Sequence, residues 1–247
     1  MAVLAAIAAP GSAHAGRTFY GWLFGSEVMP ERGVELQSWI TEENLSNGTS
    51  QAHETSWLLT PQVGITDQLE IGFPLEFSWV REGYPPRTVF DRYGIEARYR
   101  FVTQDPVDAP EFVPLVRVAV KRLVTNRDTV RPELDLVASY ETGIVHILAD
   151  VGFIAEITAN PDEMAGKKQR FELRPGLGVS LLAIEDLRFG AEVYAEIKFD
   201  EDEKTWLVLG PNVAWTHGRF WVTGMYGFGL MPEAKTNAAR LQWGIAF

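Results

Sequence analysis

The sequence predicts an all-β fold: a closed antiparallel up-and-down transmembrane β-barrel of about 12 strands. Three observations lead there. Apolar residues recur with a period of two, which puts them on one face of a strand. The repeating stretches approach the roughly 9–11 residues that a tilted strand needs to cross a bilayer. The connections between them alternate between short and long. No stretch reaches the roughly 20 apolar residues of a membrane-crossing helix, so passage through a bilayer would need strands closed on themselves.

The bulk numbers leave room for this and exclude other classes. The chain has 247 residues, with 22 Lys+Arg against 33 Asp+Glu and a net charge of -11. Such a balance excludes a nucleic-acid partner, which needs a basic face to release counterions. There is no cysteine, so disulfides, zinc fingers and thiol nucleophiles are absent.

Residues 1–15 read as a secretory signal peptide. Val3–Ala9 is small and apolar, Pro10-Gly11-Ser12 breaks the run, and Ala13-His14-Ala15 fits the small-x-small cleavage rule. The usual basic start is missing, and a helical or floppy N-terminus is the alternative. Residues 16–32 follow as a periplasmic N-terminal segment, and residues 33–247 form the barrel.

Within the barrel, Leu69, Ile71, Phe73, Leu75, Phe77 and Trp79 alternate with polar or small residues. Tyr93–Phe101 and Leu187–Phe199 repeat the pattern. The segments run approximately 33–42, 53–63, 68–79, 89–101, 112–123, 132–141, 144–158, 169–182, 186–199, 204–215, 219–230 and 238–247. Short turns fall at Gly64–Asp67, Thr142-Gly143, Ala183–Glu185 and Thr216–Gly218, with 102–111 a longer exception. Longer or more polar loops fall at Glu43–Ser50, Arg81–Thr88, Thr125–Arg131, Ala159–Lys168, Asp200–Glu203 and Met231–Asn237. Aromatic residues cluster at strand ends. Tyr99, Phe101, Phe112, Tyr140, Trp215 and Phe220 mark one rim; Phe77, Trp79, Phe171 and Phe199 mark the other. Pro74, Pro114, Pro175 and Pro211 fall inside strands and predict bulges or ladder breaks, because proline donates no hydrogen bond.

In the last segment Leu241, Trp243, Ile245 and Phe247 alternate with Gln242, Gly244 and Ala246. A final strand of alternating apolar residues closing on Phe resembles the C-terminal signature of bacterial outer-membrane proteins. The resemblance implies that these four residues are read by the outer-membrane assembly machinery. It also implies export through the periplasm, residence in the bacterial outer membrane, and contact with its lipid and lipopolysaccharide. The Gly- and aromatic-rich strands also look like the porin-like, transporter-like barrels grouped with phenol-degradation pathways.

If the apolar face meets lipid, the other face lines the lumen. The pore-lining candidates are Glu70, Glu76, Arg92, Glu96, Arg98, Arg100, Arg117, Lys121, Asp135, Asp150, Glu172, Arg174, Arg188, Glu192, Glu196 and Arg240. No inward set is apolar enough to form a hydrophobic core. These charges either pair across strands and close the lumen, or stand apart in water and line a narrow pore. Arg92, Arg98, Arg100 and Arg117 form a basic strip that could face acidic strips elsewhere, or simply pair with them. The leading reading is a channel or porin-like protein for passive passage of small polar or amphipathic solutes. A closed structural or interaction barrel acting through its outer loops is the alternative.

A membrane-embedded lipid hydrolase is the third reading. A two-residue turn at Thr142-Gly143 would set Ser139 opposite His146, and Asp135 opposite Asp150. That pair points into the lumen, away from a lipid substrate, so the sequence nominates no catalytic residue, no metal site and no cofactor. Lumen hydrogen bonding is the expected role, with Asp135 and Asp150 neutralised by Arg117 and Lys121. Asn47-Gly48-Thr49 reads as a loop tip, and Asp200–Glu203 as a solvated acidic turn.

Overall fold

The computed structural model describes residues 18–46, 51–80, 87–103, 110–164, 166–200, 204–231 and 235–247. The export signal at 1–15, the tip Asn47-Gly48-Thr49 and the acidic residues 201–203 lie outside this set.

Strong period-two patterning produces thirteen strand segments. They are β1 (Val34–Ser46), β2 (Gln51–Thr66), β3 (Leu69–Gly72), β4 (Leu75–Val80), β5 (Arg87–Arg100), β6 (Phe112–Leu123) and β7 (Thr129–Thr142). β8 (Val145–Thr158), β9 (Gln169–Ile184), β10 (Leu187–Lys198), β11 (Trp206–His217), β12 (Phe220–Gly229) and β13 (Lys235–Ala246) complete the wall. β3 and β4 both pair with β2 on one side and β5 on the other, so they are two halves of one stave. The result is a 12-stave antiparallel barrel. It closes where β1 pairs with both β2 and β13, from Glu35↔Ala246 upward.

The strand prolines sit where the ladder gives way. The β3/β4 stave breaks at Phe73-Pro74, and the Phe73 N–H donates to the Pro61 carbonyl at 3.0 Å. Along β9 and β10 the pairs jump from Tyr194↔Gly176 to Ile197↔Leu173, past Pro175. Along β11 and β12 they jump from Leu209↔Phe228 to Asn212↔Met225, past Pro211. Pro114 lies one residue beyond Leu115, whose pair with Arg100 is the last of the β5–β6 ladder. Each break satisfies a residue that brings no N–H to the sheet.

The turns correct one register. The hairpin loop between β7 and β8 is Gly143-Ile144, because Thr142 pairs with Val145. Gly143 has φ of 57°, the conformation a II′ turn reserves for glycine at its first central position. Gly218 does the same between β11 and β12, with φ of 58°. Placing Gly143 first shifts the ladder by two relative to the sequence expectation. Ser139 therefore faces Leu148, His146 faces Glu141, Asp135 faces Gly152 and Asp150 faces Val137.

Along β7 the two faces separate cleanly. Leu134, Leu136 and Tyr140 are exposed outward, while Arg131, Glu133, Asp135, Val137 and Ser139 are buried inward. Ile95, Val120, Val151, Phe189, Leu209 and Phe228 continue the exposed apolar belt around the barrel. An unbroken belt of that kind matches hydrocarbon rather than water. Among the described residues no helix is long and apolar enough to cross a membrane.

The main departure is the stretch before β1. Of the segment 16–32 expected in the periplasm, the described residues 18–30 lie inside the barrel, with Tyr20, Trp22, Leu23, Val28 and Met29 all buried, and Glu31 and Arg32 are exposed at its end. The Arg32 end sits at the short-turn mouth, and Thr18 lies buried in the short-turn half. Arg32 donates to the Gly64 carbonyl at 3.0 Å, and Thr223 Oγ1, near the start of β12, donates to the Thr18 carbonyl at 2.7 Å. The middle rises towards mid-barrel, where Phe24 lies against Trp39 and Arg117. Tyr20, Trp22, Leu23 and Val28 join wall residues including Leu115, Val137, Leu148, Trp206, Val208 and Met225 in one apolar cluster. A lumen core therefore exists, contrary to the sequence reading. Segment and wall build it jointly, so neither strand pattern alone reveals it. Burial of these side chains is favourable by about 1.5–3 kcal/mol for each large one.

A charge on the outer belt should be costly. Leu136 is 57% exposed on β7. Leu136→Arg is expected to lower unfolding free energy in phospholipid vesicles by about 2–4 kcal/mol, read from guanidinium titration. An unchanged midpoint would place that face in water.

Candidate functional site

Strand alternation delivers the polar half of every stave to the lumen, where two kinds of arrangement result. The first is an ion network centred on Arg117 of β6, which is 1% exposed. Its Nη2 donates to Glu96 Oε2 at 2.7 Å, and its Nη1 donates to Asp135 Oδ2 at 2.6 Å and Glu133 Oε2 at 3.0 Å. Lys121 Nζ and Arg131 Nε meet the other Glu133 oxygen at 3.1 and 3.0 Å. Arg131 reaches on to Glu156 at 3.0 Å. Arg92 pairs with Glu76 at 3.4 Å and with Asp91 at 2.6 Å. Arg174 pairs with Glu172 and, at 3.5 Å, with Glu196, and Arg188 pairs with Glu141. Arg92, Arg98 and Arg117 of the basic strip are thus met by carboxylates of their own and adjoining strands, with Arg98 3.4 Å from Glu70, whereas Arg100 meets the segment. Of the carboxylates assigned to Arg117 and Lys121, Asp135 does bind Arg117, whereas Asp150 turns to the segment.

The second arrangement is a set of hooks for the N-terminal segment. An irregular backbone inside a barrel cannot pair with a sheet, so side chains must satisfy it. Glu192 accepts from Gly21 N at 2.6 Å and Trp22 N at 2.8 Å, steadied by Asn212 at 3.1 Å. Asp150 accepts from Phe24 N at 3.0 Å, and Glu70 from Met29 N at 2.7 Å. Arg98 donates to the Gly25 carbonyl at 2.6 Å, Arg100 meets Glu27 at 3.5 Å, and Arg240 donates to the Gly21 carbonyl at 3.3 Å. Gln242 donates to the Tyr20 carbonyl at 3.1 Å and also to that of Gly21.

Side chains of the segment dock as well. Ser26 and Ser139 hydroxyls lie 2.6 Å apart. The Tyr20 hydroxyl donates to the His146 carbonyl and lies 2.9 Å from His146 Nδ1. Burial raises the Tyr20 phenol well above its ordinary pKa, so it stays protonated. Gly176 and Gly178 of β9 leave the space that Leu23 and the Tyr20 ring occupy. Ser139 and His146 are therefore each held by the segment rather than set against one another. Among the described residues no group of three or more metal-ligating side chains converges.

Above the segment, towards the long loops, lies a cavity of about 400 Å³. Trp22, Phe24 and Trp39 contribute its aromatic floor. Glu76, Arg92, Lys121, Asp135, Glu172, Arg174, Glu196 and Arg240 line it. The other eight nominated residues, Glu70, Glu96, Arg98, Arg100, Arg117, Asp150, Arg188 and Glu192, lie outside its lining, in the hooks and ion pairs just described. Sequence reasoning missed Asn212, Gln242, Trp39 and the whole segment. The run Phe19-Tyr20-Gly21-Trp22-Leu23-Phe24 carried the available signal, because so aromatic a stretch is poorly suited to a solvated tail.

No family model and no curated protein matches the chain. Solved structures do. An outer membrane channel from Pseudomonas putida F1 superposes with a TM-score of 0.64 at 10% identity, over 90% of this chain and 98% of that one. The translocator domain of the autotransporter NalP from Neisseria meningitidis gives 0.57 at 10% identity, over 86% and 88%. The KdgM porin in complex with disordered oligogalacturonate gives 0.53 at 6% identity, over 87% and 99%. The chain has the fold of a bacterial outer-membrane barrel. At these identities the likeness concerns architecture alone.

Two substitutions separate the network from the hooks. Arg117→Met leaves Glu96, Glu133 and Asp135 without their shared cation. It should cost about 3–5 kcal/mol of barrel stability, read from denaturant midpoints in vesicles. Glu192→Ala removes two charge-assisted bonds to the segment, each worth about 1.5–3 kcal/mol. The barrel should survive while limited proteolysis cuts within residues 18–30; an uncut segment would mean that the other hooks suffice.

Proposed function

We propose that the protein is a channel of the bacterial outer membrane for passive passage of small polar or amphipathic solutes, with its N-terminal segment as the constriction. The observation that carries this reading is the division of the lumen. The long-loop half holds the charged cavity of about 400 Å³, and the short-turn half is filled by a segment bound through side chains, without strand pairing. A segment held in that way can shift without breaking the wall. Porins and channels share the fold, which supports the same reading. Of the sixteen nominated charges, eight line the cavity on the solute path and the other eight are buried behind or beneath the segment. Long loops then face outward and both chain ends face the periplasm.

The exposed apolar belt meets lipid, with lipopolysaccharide on the outer side. Leu241, Trp243, Ile245 and Phe247 serve as the assembly signal. The Phe247 N–H donates to the Val34 carbonyl at 2.9 Å, tying the last residue into the seam. No enzymatic role is assigned, because the β7–β8 register keeps Ser139 and His146 out of cross-strand pairing and the segment engages both. One observation favours a closed interaction barrel, namely the ion pairing that neutralises much of the lining.

Planar-bilayer recording decides between them. Deleting residues 18–30 should raise single-channel conductance several-fold. The chain lacks cysteine, and Ser26 and Ser139 are in contact, so a Ser26→Cys/Ser139→Cys pair can lock the segment reversibly. The oxidised lock should suppress the larger openings and reduction should restore them. Equal conductance in all these states would remove the segment as the constriction. Silence from the deletion variant would remove the channel reading.

A further inference from the structure

We infer that the cavity above the segment is a binding subsite for neutral polyhydroxylated solutes of mono- to disaccharide size; this rests on the channel reading above. Its volume of about 400 Å³ falls in the range of small-molecule pockets, roughly 300–1,000 Å³.

The charge pattern selects the solute class. Eight carboxylates and seven basic groups line the cavity, so they differ by only one. Much of that charge is already spent within the wall. Arg92 is paired with Glu76, Lys121 and Arg131 with Glu133, and Arg174 with Glu172 and Glu196. An entering ion would lose hydration without meeting a large excess of opposite charge. Hydrogen-bonding capacity is another matter. A guanidinium carries five N–H donors and a carboxylate about four lone-pair sites, and one ion pair uses only part of each. Walls of this kind are nearly neutral yet dense in donors and acceptors, which suits hydroxyl groups that both donate and accept.

The floor supplies the second half of the recognition. Trp39 is only half-buried, and Phe24 packs 6.3 Å from it between ring centroids. Arg240 stacks 4.6 Å over Trp22 and 5.3 Å over Trp39, and its Nε donates to Thr41 Oγ1 at 2.8 Å. Trp22 is buried and covered by Arg240, so the half-buried Trp39 and Phe24, each backed on one side by a guanidinium, are the rings left to meet a solute that has a C–H face and a polar edge. A pyranose has both.

The experiment is saturation-transfer NMR on the full chain in a sugar-free detergent, with glucose, glucuronate and glucosamine as a matched neutral, anionic and cationic set, and sucrose as the larger probe. Glucose and sucrose should receive saturation, with affinity changing less than about twofold between roughly 0.05 and 0.5 M salt. Trp39→Ala should weaken sucrose binding at least about fivefold and Trp39→Phe should keep most of it, since the ring face remains. Phe24→Ala, on the segment and outside the wall, should also weaken it. Heat-modifiable gel mobility checks folding of each variant. Glucuronate or glucosamine binding about tenfold tighter than glucose would overturn the assignment to neutral solutes. Absence of transfer to glucose and sucrose, or sucrose binding indifferent to both Trp39→Ala and Phe24→Ala, would overturn the site. Binding is read without conductance, so sugar binding by a non-conducting barrel would sink only the channel reading, and conductance without binding only the subsite.

Discussion

An irregular peptide buried in a lumen must have its backbone N–H groups satisfied, and this requirement organises the interior. Sheet pairing is closed to it, because every stave already has two neighbours. The partners are therefore carboxylates reaching in from β3, β8 and β10, namely Glu70, Asp150 and Glu192, while Gln242 of β13 donates to the segment's carbonyls. Leaving one such group unsatisfied would cost about 1–3 kcal/mol, so these inward carboxylates have a structural role as acceptors. Their spacing on the wall sets where the segment turns. Apolar contacts then fill what the hydrogen bonds position, with Tyr20 and Leu23 seated against Gly178 and Gly176.

The other half of the lining solves a different problem. Many like charges on adjacent staves would repel one another across a confined space. Arg117 answers by bridging three carboxylates from β5 and β7, and Lys121 and Arg131 close the circuit on Glu133. The wall is stiffened on the side where the β6–β7 ladder runs from Phe112↔Tyr140 to Arg122↔Val130. Elsewhere the β7–β8, β9–β10 and β11–β12 ladders skip pairs beside Pro132, Pro175 and Pro211.

Much of the wall was legible in the sequence because a closed barrel writes itself as a period of two. β7 and β10 announce their faces residue by residue, and the strand prolines mark the breaks in advance. Register was less legible. Moving a hairpin loop from Thr142-Gly143 to Gly143-Ile144 keeps every residue on its face yet changes every cross-strand neighbour, so alternation alone is blind to it. Only the left-handed demand at Gly143 distinguishes the two. The segment at 18–33 was illegible in position because it has no period at all. Its composition, with five aromatic or large apolar residues in Phe19–Phe24, pointed to burial without saying against what.

The return of the segment towards the short-turn half has a topological consequence. Arg32 is anchored at the short-turn mouth and Thr18 is buried in the same half, so the described stretch turns back inside the barrel instead of running straight through it. Side-chain bonds hold this stretch and every stave finds its two neighbours without it, so the ladder of the wall does not depend on its presence. Wall closure and lumen filling are then separable events.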